Sequence, residues 1–173
     1  MNKKPIRLFF TVSLFLPILA AVAGSWPVET SIDPASYQSV VQVSGTSIDS
    51  ISDEYGVKEV KPRLEFYCTP GSASAVSVRI NWLRFISSFN TEVTFLADDQ
   101  EPLTLKLGVD RSNKVTATRA AEDDKAIIAA LSGQQMLLIR VTPYSEAPVE
   151  VKFDLDELDA GLAKLRQACT DAN

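Results

Sequence analysis

The residue types that usually carry chemistry are either missing or arranged for structure. The chain has no histidine. That removes the commonest general base and with it Ser-His-Asp and Cys-His catalysis and the usual zinc hydrolase sites. Lys125 and Lys152 lie in a serine-rich chain, yet no serine sits in a nucleophile turn. The densest acids are Asp154, Asp156, Glu157 and Asp159, with a second group at Glu122, Asp123 and Asp124. Neither has the glycine and terminal glutamate of a calcium loop. Both precede apolar residues at helical spacing, so they read as caps and first-turn acids that favour a helix dipole. No metal and no cofactor is implied, and no enzyme is expected.

The two cysteines, Cys68 and Cys169, are the remaining reactive pair. Two thiolates alone do not make a zinc site. Their meaning follows from the first residues. Lys3, Lys4 and Arg7 precede an apolar run over residues 8–19, and Ala21-Val22-Ala23 supplies small residues before Gly24. This is the layout of a cleavable secretory signal over residues 1–23; the run is too short for a membrane span and Pro17 interrupts it. Export to the periplasm places the cysteines in an oxidising compartment, where two cysteines usually pair; two free buried thiols are the alternative. No membrane span is expected after cleavage. The remainder, residues 24–173, has the size of one domain. The leader carries three cations and no acid, so its removal takes the formal charge from −5 to −8. Such a surface disfavours nucleic acid and anionic lipid as partners.

A partner surface is therefore sought among aromatic residues. Trp82 closes an inward-facing alternation and reads as core. Trp26 and Tyr144 are more open. Tyr144 follows Thr142 and Pro143 in a connection between strands, where an exposed ring can anchor a partner; the other reading is a ring packed over the end of the fold. Phe85, Ile86 and Phe89 form an apolar knot that is either buried or a contact patch. Thr142, Pro143, Tyr144 and Trp26 are the candidate binding residues.

The elements that must hold them are mostly strands. Leu64, Phe66 and Cys68 alternate with Arg63, Glu65 and Tyr67; Val76, Val78, Ile80 and Trp82 alternate with Ser77, Arg79 and Asn81. The turn between them makes an antiparallel hairpin with one buried face. Further strands are predicted around Trp26 and Val28, at Val40, Val41 and Val43, at Val93 and Phe95, at Leu103, Leu105 and Leu107, from Val115, at Met136–Val141 and over residues 149–153. Residues 49–61 read as a polar loop. A short helix runs from the acids at 122–124 to Gly133. A closing helix carries Leu158, Leu162, Leu165 and Cys169, and Gly161 within it implies close packing. The sum is mostly β: an antiparallel β-sandwich with a short helix and a C-terminal helix laid across an edge or end. The disulfide ties that helix to the Leu64–Cys68 strand.

The tail is the most specific part of the sequence. Leu137-Leu138-Ile139-Arg140-Val141-Thr142-Pro143-Tyr144-Ser145, Val151-Lys152-Phe153-Asp154-Leu155, Leu158-Asp159-Ala160-Gly161-Leu162 and the final Ala168-Cys169 resemble the tail of the VasI/TagO family. Trp26, Pro62-Arg63-Leu64 before Cys68, and a strand ending in Trp82 are similar too. The chain departs from that pattern in its middle, which lacks a tryptophan, and at Glu157, where glycine is usual. The resemblance implies a periplasmic accessory protein associated with type VI secretion, with no catalytic residues to carry over. It acts by binding another periplasmic or envelope protein. The alternative is a sandwich that binds a small ligand or lipid, which requires a roomy apolar cavity.

Overall fold

The computed structural model describes residues 26–33, 37–70 and 76–170; the expected leader over residues 1–23 lies outside them. Eleven strands and two helices follow in chain order among the described residues: β1 (Val28–Ile32), β2 (Ser39–Thr46), β3 (Ile51–Ser52), β4 (Glu59–Val60), β5 (Arg63–Cys68), β6 (Ser77–Asn81), β7 (Thr91–Ala97), β8 (Leu103–Val109), β9 (Val115–Ala117), α1 (Ala121–Leu131), β10 (Met136–Val141), β11 (Val149–Asp154) and α2 (Leu158–Thr170). Nine strands form one antiparallel sheet in the order β1-β2-β5-β6-β9-β8-β7-β10-β11.

This sheet folds back on itself. The β8–β9 pairing is short, with only Gly108 opposite Ala117 and Val109 opposite Thr116. At the far side the Ile48 N–H, just after β2, donates to the Lys152 carbonyl of β11 at 2.7 Å. The halves β1-β2-β5-β6-β9 and β8-β7-β10-β11 thus face each other as a sandwich. Strict alternation supplies the filling: Val43, Leu64, Phe66, Val78, Ile80 and Trp82 from one half, and Val93, Phe95, Leu107, Ile139, Val151 and Phe153 from the other, all 2% exposed or less. Each such side chain contributes roughly 1.5–3 kcal/mol of burial.

The helices pack onto the strands through their buried faces. Leu158, Leu162, Leu165 and Cys169 share the buried stripe of α2, which packs on β2 and β5. Cys169 is bonded to Cys68 of β5, with Cα atoms 6.2 Å apart. Ile127 and Leu131 anchor α1, and Gly133 at φ 73° ends that segment. The acids near α2 do local structural work. Asp154 accepts from the Asp156 N–H at 2.9 Å. Asp159 accepts from Ser132 Oγ at 3.0 Å and the Gly133 N–H at 2.8 Å, fastening the end of α1 to the start of α2.

Three sequence expectations change. Residues 49–61 hold a second, two-stranded sheet, with Ile51 opposite Val60 and Ser52 opposite Glu59; Asp53 closes its turn by accepting from the Val57 and Tyr55 N–H groups at 2.8 and 3.2 Å. The strands are two residues each, too short to show alternation. Asp124 is not simply a helix-dipole acid. It is buried and accepts from the Val78 N–H at 2.8 Å and from the Thr118 hydroxyl.

The third change concerns Trp26, which is not an open aromatic: it is 5% exposed. Its ring lies over Gly45 of β2 and edge-on to Phe66, with centroids 5.9 Å apart. Its Cβ and carbonyl lie against Gly161 of α2, where an added Cβ would meet them at 3.0 and 3.1 Å. The close packing implied by a helical glycine is thus the seat of this tryptophan.

Candidate functional site

One end of the sandwich gathers four loops: the β3–β4 hairpin, residues 82–90, residues 110–114 and residues 142–148. Their backbones are tied together. The Trp82 N–H donates to the Lys114 carbonyl at 2.9 Å, Ile86 N–H to Asn113 carbonyl at 2.8 Å, and Tyr144 N–H to Ile86 carbonyl at 2.8 Å.

Two charged side chains brace this end from within. Arg84 is 3% exposed; its guanidinium donates to the Ser52 carbonyl at 2.8 Å and to Glu146 at 2.5 Å. One buried cation therefore holds three of the loops. Glu54 accepts from the Phe85 N–H at 3.2 Å and from Lys114 Nζ at 2.8 Å. The Lys114 ammonium holds the Glu54 carboxyl below its ordinary range, and the Glu54 carboxylate in turn raises Lys114. Trp82, beneath them, is fully buried and donates its indole N–H to Thr116 Oγ1 at 3.0 Å.

This polar scaffold presents large apolar side chains to solvent. Tyr55 is 79% exposed, Phe89 69% and Tyr144 65%, with Val57 and Leu83 exposed beside the hairpin. A surface groove of about 420 Å³ runs between Tyr55, Val57, Leu83 and Lys114. Leu83 and Ser145 are held in left-handed backbone at φ 59° and 61°. A bulky residue seldom adopts that conformation without compensation from its surroundings, and such residues gather at functional loops. Rigid loops carrying exposed aromatic rings are the ordinary material of a protein-binding surface.

Of the residues proposed from sequence, Thr142 and Tyr144 lie exposed on this end. Pro143, between them, is buried, so it shapes the loop and does not contribute contact area. Trp26 belongs to the α2 seat described above and not to this surface. The Phe85 knot divides: Ile86 is fully buried and Phe89 is mostly exposed. Tyr55 and the Arg84 and Glu54 braces escaped the sequence reading, because no local pattern marks a residue whose partners come from other loops.

A second polar constellation lies on the outer face of β2, β5 and β6, beside a groove of about 300 Å³. Arg79 donates to Glu65 at 2.5 Å, Asp33 at 3.4 Å and Gln42 at 3.3 Å, and its guanidinium lies 4.5 Å over the Tyr67 ring. Burial pushes the Tyr67 hydroxyl up. The guanidinium is engaged on both edges and one face, so this network locks the β1–β2 turn onto the sheet. A third groove, about 440 Å³, separates α1 from α2 beside Ile128 and Arg166. These are surface grooves; between the sheets lie the large buried side chains of both halves, among them Trp82, Phe66, Phe95 and Phe153. Among the described residues no helix is long and apolar enough to cross a membrane.

No protein-family model matches the sequence, and comparison with curated proteins gives no match. Among solved structures, the chain is similar to the crystal structure of invasion associated protein B from Bartonella henselae, with 15% identity over 85% of this chain and 95% of that chain and a TM-score of 0.51. At that identity the likeness is one of fold, and fold alone does not carry function. The VasI/TagO resemblance consequently rests on the tail residues that suggested it, while the sandwich, its helices and the Cys68–Cys169 bond stand on the structure itself.

Proposed function

We propose that this chain is an exported accessory protein of the cell envelope that acts by binding another protein, not by catalysis, through the loop end bearing Tyr55, Phe89 and Tyr144. The observation that carries the reading is the pairing of exposed aromatic rings with a buried brace, Arg84. Flexible loops would lose side-chain and backbone entropy on binding, and a braced surface loses less. The large aromatic and aliphatic side chains buried between the sheets support surface recognition over capture of a small ligand. A disulfide-closed fold suits an exported protein, and the name of the invasion associated neighbour is in keeping with an accessory role. The type VI association is the finer part of the proposal and has the tail resemblance behind it.

The test is capture from a periplasmic extract by immobilised protein. Tyr144→Ala and Phe89→Ala should each lose the captured partner while leaving the thermal midpoint within a degree or two, since neither ring is buried. Undiminished capture by the double variant would refute this surface. A gene neighbourhood encoding sheath and baseplate proteins would support the type VI assignment, and a solitary gene would count against it.

A further inference from the structure

The two edges of the nine-stranded sheet are treated differently. At β11 the Lys152 carbonyl accepts from Ile48, and Glu150, Lys152 and Asp154 line the strand with charge. At β1, among the described residues, the only strand partner is β2. Its sequence Val28-Glu29-Thr30-Ser31-Ile32 has a single charge, and the strand is largely exposed. An edge with few charges and no second strand partner is a template for another strand, although α2 lies against part of β1.

The register with β2 fixes the faces. Val28 lies opposite Val43 and Thr30 opposite Val41, both core residues, and Ile32 follows on the same side. The apolar inner layer therefore runs out to the edge, where among the described residues Val28 is 36% and Ile32 61% exposed.

We propose that this edge binds a second copy of the chain, as an antiparallel two-fold pairing of β1 with β1 centred on Thr30. In that register Val28 faces the partner's Ile32, Glu29 faces the partner's Ser31, and the two Thr30 hydroxyls meet at the axis. Apolar side chains oppose apolar ones on the inner face, and no like charges are opposed. Centring on Glu29 would set two carboxylates directly opposite each other. Shifting by one residue would join the inner face of one copy to the outer face of the other. The Thr30 register also uses all five residues of the strand. The arrangement joins two nine-stranded sheets and leaves the aromatic loop ends free, so one dimer displays two copies of that surface. A five-residue contact is small, so the association is weak and concentration-dependent.

Sedimentation of the disulfide-bonded protein over a wide concentration range should show mass rising from that of one chain toward that of two. Thr30→Lys opposes two ammonium groups at the axis and Thr30→Pro removes a backbone donor; both should remain monomeric at every concentration, with unchanged near-ultraviolet dichroism reporting the intact fold. Covalent trapping tests the register. Under mild oxidation Thr30→Cys should cross-link to itself, because directly opposed residues lie about 4.5–5.5 Å apart, within disulfide reach. Glu29→Cys alone should not, since its counterpart is displaced by two residues, yet it should cross-link when mixed with Ser31→Cys. A monomer at all concentrations overturns the proposal, whether or not the edge captures a peptide from another protein. A dimer in which Glu29→Cys and Thr30→Cys cross-link equally well overturns it too.

Discussion

The seat of Trp26 makes a prediction whose sign depends on the neighbouring residue. A Cβ added at Gly45 would lie 2.5, 2.7 and 2.9 Å from three carbons of the Trp26 ring. Carbon contacts are optimal at about 3.5–4.0 Å, so the ring must withdraw by roughly 1 Å. It has little room, with Phe66 beside it and α2 against its Cβ. Overpacking of this kind costs about 1–3 kcal/mol, against which alanine recovers about 0.5–1 kcal/mol of the strand entropy that glycine forfeits. Gly45→Ala should therefore destabilise the wild-type chain by about 1–2 kcal/mol. Trp26→Ala alone should cost about 3–5 kcal/mol through the cavity it leaves. In that background the obstruction is gone, and Gly45→Ala should become stabilising by about 0.5–1 kcal/mol. Urea unfolding of the four proteins closes the cycle, with an expected coupling of about 1.5–3 kcal/mol. If Gly45→Ala shifted stability equally in both backgrounds, the ring would not occupy the space above Gly45, and the account of Trp26 as a core residue seated on two glycines would be wrong.

Other consequences are open to measurement. The Cys68–Cys169 bond has a sequence separation of 101; by chain entropy, the Cys68→Ala/Cys169→Ala variant should lose about 4–5 kcal/mol in guanidinium unfolding, and a loss below about 1 kcal/mol would refute the entropic account. Burial raises the Asp124 pKa from its ordinary value of 3.8, against the hydrogen bonds from Thr118 and Val78. The folded chain thus holds this proton more tightly than the unfolded one, and stability contributed by the group falls as pH rises from about 3.8 through the raised value. Asp124→Asn, which can keep both hydrogen bonds, should remove that portion of the pH dependence; an unchanged profile would refute the assignment. Glu157, where the family resemblance expects glycine, sits at φ 66° just before α2. Glu157→Gly should raise stability by up to about 1 kcal/mol, the relief of left-handed strain less the added unfolded-chain entropy, and a lowered thermal midpoint would contradict this.

Whether an element can be read from sequence depends on how local its cause is. The alternation of Leu64, Phe66 and Cys68 and of Val76, Val78 and Ile80 arises because each strand buries an apolar face, so the hairpin and its inner face are present in the residues themselves, while the register comes from the structure. The stripe of Leu158, Leu162, Leu165 and Cys169 is equally local. Trp26 is different. A lone aromatic ahead of a short edge strand has no period from which burial can be inferred, and its seat comes from Gly45 and Gly161, far apart in the chain. Gly161 did signal close packing in its helix, without indicating what packs there. Asp124 shows the same limit. Three successive acids at a helix start share one local reason, and only the position of β6 and Thr118 decides which of them is buried.

The loop end obeys the same logic. Tyr144 could be singled out because Thr142-Pro143-Tyr144 is a contiguous connection between two legible strands, and such connections lie at the ends of a sandwich. What makes that connection a surface is non-local. Arg84 looks like any arginine after a strand, yet it reaches Ser52 and Glu146 in two other loops and is buried by them. A buried charge left without its partner is far costlier than a lost surface contact, so Glu146→Ala should loosen the arrangement of the loops even though Glu146 itself is exposed. The rings of Tyr55, Phe89 and Tyr144 are each unremarkable in sequence. Their loops are joined by the backbone hydrogen bonds and the two charged braces, so the recognition proposed for this end would be a property of the fold, with the aromatic residues supplying contact area and the buried arginine fixing where that area stands.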